Sequence, residues 1–298
     1  MIETISSLSQ IVEYAKKECH GKPYVNNLIL SAKFPISLFN EPFINLFYDD
    51  ASLWQNSKKP EELHINHGSY IHKSGNGIQY LINELKSKPS SNRALLSLIN
   101  MKDIINSGDT PIPSFFVTQF SIEDDDLFCT TYFRALEVSK FLPINIAEVC
   151  LIAKSICAEI HHLKNIVLCM HAFKAYHNNN FDTLKRAAID MESRGKIAGY
   201  VHRGNKEKIK ELLVSKFYDS SVIESGGTEE LYNSLVDERE NGSQLYSDAF
   251  IQSIGKVVRE LHELREKRTN ASFGAEIKSL ENSIHDQIRA AIENLQVT

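Results

Sequence analysis

The stretch Leu127-Phe128-Cys129-Thr130-Thr131-Tyr132-Phe133-Arg134, followed by Pro143-Ile144-Asn145-Ile146-Ala147, decides the fold. Its first part is dense in aromatic and β-branched residues and predicts a strand that ends on a cation. Its second part places a proline in the first turn of a helix, and the helix continues through Cys150, Leu151 and Ala158 with apolar residues on most sides. Such a helix belongs in the centre of a domain.

Working outward, Phe115 to Ile122 predicts a second strand, joined to the first by Glu123-Asp124-Asp125-Asp126 as a hairpin. Four acids at a hairpin tip read as a solvated turn rather than a metal site. Ala94 to Ile99 and Asn165 to Ala172 predict further strands. Ile78, Leu81, Ile82 and Leu85 fall at helical spacing before the break at Lys88-Pro89-Ser90-Ser91. The first sixty residues mix periods and stay unassigned. Beyond about residue 180 the chain is charged and helix-forming, with breaks at Gly204, Gly226-Gly227 and Gly242.

The 298 residues are 42% hydrophobic, enough for a large core, and the net charge of -5 argues against a protein that mainly neutralises nucleic-acid phosphates. No leader is recognisable, and no apolar run approaches the roughly 20 residues that span a bilayer. The expectation is a cytoplasmic protein with neither membrane nor nucleic acid as partner. The five cysteines lack CxxC spacing and read as free thiols in apolar runs.

The quoted segments resemble the thymidylate synthase family, over about residues 85 to 178. Pro113-Ser114-Phe115-Phe116-Val117-Thr118-Gln119-Phe120 resembles its nucleophile strand, Pro-Cys-His followed by Gln-Phe. Leu127 to Arg134 with Pro143 to Ala147 resembles its arginine strand and its Pro-Phe-Asn-Ile-Ala helix start, at the same spacing from Arg to Asn. Leu85 to Arg93 resembles a helix end with paired arginines, of which Arg93 remains, and His171-Ala172-Phe173 resembles its His-x-Tyr without the tyrosine.

The resemblance implies an α+β fold, a sheet packed with helices, over 1–190, followed by a helical extension over 191–298. It implies a pyrimidine nucleotide such as dUMP, held by Arg93, Arg134, Asn145 and His171. It also implies an obligate homodimer in which Arg93 reaches the neighbour's phosphate site. Physical chemistry partly agrees: a guanidinium fork suits a phosphate, and an Asn amide can both donate and accept along a pyrimidine edge. Each residue also has a plainer reading, namely a carboxylate partner in the sheet for Arg134, a helix cap for Asn145 and a core histidine for His171. His161-His162 and His64/His67 lack a clear set of partners at metal-ligand spacing, so no metal is expected. Trp54 reads as core.

The pattern departs from the family at the chemistry. Ser114 stands at the nucleophilic cysteine, and a hydroxyl needs a neighbouring base where a thiolate does not. Phe115 replaces the following histidine. Ala135 replaces a phosphate-binding serine, and Glu137 replaces the aspartate that holds the folate pterin, so no cofactor is assigned. No arginine precedes Arg93 to serve as the family's mobile N-terminal one. Three functions remain open: a nucleotide-binding protein without dUMP methylation, an enzyme with altered chemistry on a pyrimidine nucleotide, and a non-catalytic scaffold acting through its C-terminal helices.

The C-terminus carries its own signal. Phe250, Ile254, Val257, Val258, Leu261 and Leu264, then Ile277, Leu280, Ile284, Ile288, Ala291, Ile292 and Leu295, recur at three- and four-residue steps on either side of a turn from Thr269 to Gly274. They predict a helical hairpin over about 247–296, whose apolar stripes require a cover, either the body of the protein or a partner protein.

Overall fold

The structure is a computed structural model that describes residues 3–105, 112–177, 185–193, 195–219, 224–270 and 274–296. Its contacts divide the chain into two units, the first of residues 1–60 and 65–179, the second of 61–64 and 180–298.

Unit 1 is a mixed sheet with helices. In chain order it contains β1 (Glu3–Thr4), α1 (Ser9–Cys19), β2 (Val25–Pro35), a short 3-10 turn, α2 (Pro42–Asn45), α3 (Tyr48–Trp54), α4 (Gly68–Ile71) and α5 (Gly77–Ser87). There follow β3 (Leu95–Ser97), α6 (Met101–Ile105), β4 (Phe115–Glu123), β5 (Asp126–Phe133), β6 (Leu136–Glu137), α7 (Phe141–Glu159) and β7 (Asn165–Tyr176). The strands lie in the order β1-β2-β7-β5-β4-β3, with β6 beside β7. β4 and β5 form the antiparallel hairpin, and α7 connects β5 and β6 to β7, which runs parallel to both.

Two-residue alternation explains the layering. Leu28, Leu30, Ala32 and Phe34 of β2, Leu127, Cys129 and Phe133 of β5, and Ile166, Leu168, Met170 and Ala172 of β7 are all buried. β2 stayed unassigned in the sequence reading because apolar runs and turn signals alternate in the first sixty residues and no single period dominates there. α7 is buried along most of its length, including Leu142, Ile144, Ile146, Val149, Ile152 and Ile156. By length and composition α7 could cross a membrane, with a mean hydropathy of 1.6, yet 67% of that window is buried inside the protein. The sequence reading placed this helix in the centre of the domain, as its burial bears out, but counted no run of membrane-spanning length because Glu148 and Lys154 punctuate it.

A bulge between Phe115 and Val117 shifts the β4–β5 register beside Ser114. The acidic hairpin tip is held by Lys33 to Asp126 at 2.5 Å and Lys164 to Asp125 at 2.9 Å, and no metal-binding group occurs among the described residues.

The regular elements of unit 2 among the described residues are all helices: α8 (Ala188–Met191), α9 (Lys196–His202), α10 (Lys206–Phe217), α11 (Gly226–Glu240), α12 (Asp248–Asn270) and α13 (Ala275–Gln296). Phe250, Ile254, Ala291 and Leu295 enter one core with Ile197, Val201, Leu212, Leu213, Leu231 and Leu235. Val257, Leu261 and Leu264 of α12 close with Ile277, Ile284 and Ile288 of α13 in a second. Both stripes are therefore covered within unit 2, and a protein partner docked on them loses its surface. Residues 271–273 of the connecting turn lie outside those described.

Candidate functional site

At the C-terminal end of β5, the backbone N–H of Arg134 donates to Ser114 O at 2.9 Å. The Arg134 guanidinium turns back over the same segment, its Nε donating to Pro113 O at 3.2 Å and its Nη2 to Ile112 O at 3.0 Å. It is half-buried and has no carboxylate partner among the described residues, so the sheet ion pair that competed for it is absent. Burial pushes its pKa down, and the Tyr176 phenol nearby opposes that shift. A desolvated cation that meets no carboxylate among the described residues is a site that an anion would complete. Tyr176 comes within reach because β7 runs four residues beyond the predicted strand.

Ser114 precedes the bulge. Its neighbour Phe115 points inward, fully buried, stacked on Phe133 with centroids 5.0 Å apart and edge-on to His67 at 5.3 Å. The position of the family's histidine is thus given over to core packing.

Behind Phe115 lies a buried polar cluster that sequence reasoning did not assemble. His67 Nδ1 sits 2.8 and 2.9 Å from the two oxygens of Glu148, and Asn145 Nδ2 donates to Glu148 Oε2 at 2.9 Å. Gln55 Nε2 donates to the Glu148 carbonyl at 2.8 Å. Glu148 is 0% exposed, His67 4% and Asn145 5%. Trp54 lies against the His67 ring at 4.9 Å, and its buried Nε1 has no partner among the described residues.

Gly68 makes this cluster possible, since a Cβ there would stand 2.1 Å from Gln55 O and 2.3 Å from Asn56 O. That close approach lets the His67 N–H donate to Trp54 O at 2.9 Å. The signal available in the sequence was a glutamate one helical turn after Asn145 in an otherwise apolar run. Asn145 itself is in the second turn of α7, since the helix starts at Phe141, so it does not cap that helix.

The other assigned residues lie apart from this cluster. Arg93 is exposed beside Glu84, Lys88, Ser91 and Asn92, around a groove of about 350 Å³. Its backbone is held by Tyr80 Oη donating to Arg93 O at 2.7 Å. His171 points to the sheet face opposite the buried row, edge-on to Tyr132 at 5.2 Å, and its buried Nε2 has no partner among the described residues.

Glu137 is 2% exposed, and its carboxylate accepts the N–H groups of Ser139, Lys140 and Phe141 at 2.8, 2.7 and 3.3 Å. Lys140 is the N-cap of α7 and Phe141 its first residue, so the carboxylate serves the helix start and the turn that leads into it. A carboxylate committed in this way does not fit a pterin contact.

Of the four histidines for which the sequence shows no clear partner set at metal-ligand spacing, His64 and His67 each meet a carboxylate in the fold. Besides His67, His64 reaches Glu224 at 3.2 Å and Asp219 at 3.4 Å in unit 2.

Comparison with known proteins gives a consistent result. A family profile described as thymidylate synthase matches residues 51–217, more than half of the chain. A thymidylate synthase of Listeria monocytogenes serotype 4b is 36% identical over 80 residues, 27% of this chain and 25% of the relative. One of Listeria innocua serovar 6a is 35% identical over a stretch of the same length. The chain spans about a quarter of the length of these relatives.

Proposed function

Because the chain belongs to the thymidylate synthase family, we propose that unit 1 binds a pyrimidine nucleoside monophosphate, dUMP-like, and does not methylate it. The observation that carries this reading is the half-buried Arg134 guanidinium, held by two backbone carbonyls beside Ser114 and lacking a carboxylate among the described residues. The nucleotide phosphate supplies the missing anion, and Asn145 reads the base. Methylation is lost because Ser114 replaces the thiolate, Phe115 leaves no base in the adjoining position, and Glu137 is spent on the helix.

The working form is a homodimer joined through the outer sheet face, where Ile29 and Phe173 are 57% and 48% exposed. Arg93 then serves the neighbour's phosphate site. A second reading, altered chemistry on the same nucleotide, is favoured by the His67–Glu148 pair behind Phe115, which could move a proton. Recovery of a changed nucleotide by chromatography, lost in His67→Gln, would establish it.

The test is a thermal-shift panel of pyrimidine mono-, di- and triphosphates, paired with tritium release from the C5 position of dUMP in the presence of methylene-tetrahydrofolate. A true ligand at a hundred times its dissociation constant stabilises the native state by about 2.7 kcal/mol. A shift with a monophosphate and no tritium release are expected. No shift with any nucleotide, or release abolished by Ser114→Ala, overturns the proposal.

A further inference from the structure

A fully buried carboxylate is costly unless donors surround it, and Glu148 has two side-chain donors aimed at it, His67 Nδ1 and Asn145 Nδ2. An ionised carboxylate accepts only. Asn145 turns its Nδ2 to Glu148 Oε2 at 2.9 Å, the orientation that sets a donor against that acceptor. That leaves Asn145 Oδ1 as the end turned away from the carboxylate. It has no hydrogen-bond partner among the described residues, while Asn145 keeps 5% exposure. Helical spacing of three residues fixes the Asn145–Glu148 pair, and His67 ties the carboxylate to the Trp54–Gly68 corner.

Resting on the reading of unit 1 as a pyrimidine-nucleotide site, we propose that Glu148, steadied by His67, is the positioning residue that sets base selection. It locks the Asn145 amide with its oxygen toward the ligand, so that the site takes bases that present an N–H donor on that edge. Uracil offers one at N3, and cytosine offers its 4-amino group. A pyrimidin-2-one base offers none there, and binding it leaves a buried acceptor unpaired. In Glu148→Gln the neutral side chain can donate as well as accept, so the Asn145 amide is free to flip and present its N–H instead.

The experiment is titration calorimetry of the full chain with dUMP, dCMP and the 5′-monophosphate of pyrimidin-2-one deoxyriboside. In the wild type, at least one of the first two should bind about tenfold or more tighter than the pyrimidinone nucleotide. In Glu148→Gln that ratio should fall to within about threefold, with the pyrimidinone nucleotide bound at least as well as before. A purely structural role would weaken all three together and leave the ratio unchanged; that result overturns the proposal while leaving the nucleotide site standing.

If no nucleotide binds the wild type, the site reading fails and this inference falls with it. The wild-type chain also allows a measurement that does not depend on the variant folding. The Asn145 side-chain amide, assigned by its loss in Asn145→Ala, should show one proton protected from solvent exchange by the carboxylate. Two rapidly exchanging protons overturn the assignment.

Discussion

Phe115 and Ser114 are adjacent in sequence, yet the bulge in β4 gives them opposite duties. Phe115 completes an aromatic stack with Phe133 and His67, while Ser114 stays half-exposed beside the backbone that Arg134 grips. If a nucleotide sits there, Arg134→Ala should weaken it by on the order of 1.5 to 3 kcal/mol. Ser114→Ala should cost far less, and calorimetry of both variants decides it; equal losses would mean that the pocket is used differently. Gly68 is the other position where one atom matters. Gly68→Ala drives a methyl into two backbone oxygens, and denaturant unfolding should show a loss of more than about 3 kcal/mol. Arg134 and Asn145 were legible in the sequence because each sits in a quoted motif. The His67–Glu148 bond was not, because 81 residues separate its partners.

At the scale of elements, α7 depends on a side chain outside it. Glu137 satisfies up to three of the backbone donors at the start of the helix, so Glu137→Ala should lower stability by about 1 to 2 kcal/mol in urea unfolding. A loss of nucleotide binding without loss of stability would instead place Glu137 in the ligand site. Other helices are capped locally: Asn76 and Asn205 accept from the N–H groups of Gln79 and Lys208 at 3.1 Å each. The Glu137 cap comes from β6, a strand of two residues too short to produce a periodic signal.

On the scale of the whole molecule, two predictions concern unit 2. Truncation after Gly242 removes Phe250, Ile254, Ala291 and Leu295 from a core shared with α9 to α11. The truncated chain should lose its unit 2 melting transition in calorimetry; an unchanged melting profile would show the hairpin to be dispensable. The second follows from a buried charge network. Lys216, 0% exposed, is held by Asp190 at 2.7 Å and by Asp219 at 3.0 Å, and Asp219 and Glu224 also meet His64, with Arg186 on Glu224. Burial by itself would lower the His64 pKa, but hydrogen bonds and charge from Asp219 and Glu224 outweigh it and raise the value to about 9. A folded-state pKa above the unfolded value means that the stabilisation is complete below about pH 6.5 and is lost as pH rises through about 9. Its size is on the order of 3 kcal/mol. The melting temperature should fall across that window, and His64→Gln should flatten the fall.

The sequence alone determined the β4–β5 hairpin, the central α7 and the C-terminal helices, because hydrophobic period and turn chemistry are local properties of the chain, and the α+β class followed from the family resemblance of its motifs. It also singled out Arg134 and, separately, Ser114 at the position of the family's cysteine; that the two segments meet is a tertiary fact. Only the tertiary structure decided that Glu148 faces inward, that His67 and Asn145 converge on it, that Glu137 is committed to a helix terminus and that the stripes of α12 and α13 are covered within unit 2. Each of these depends on groups far apart in the chain meeting where water is excluded, and there an unpaired donor, acceptor or charge costs so much that partners, rather than neighbours in sequence, set what a residue can do.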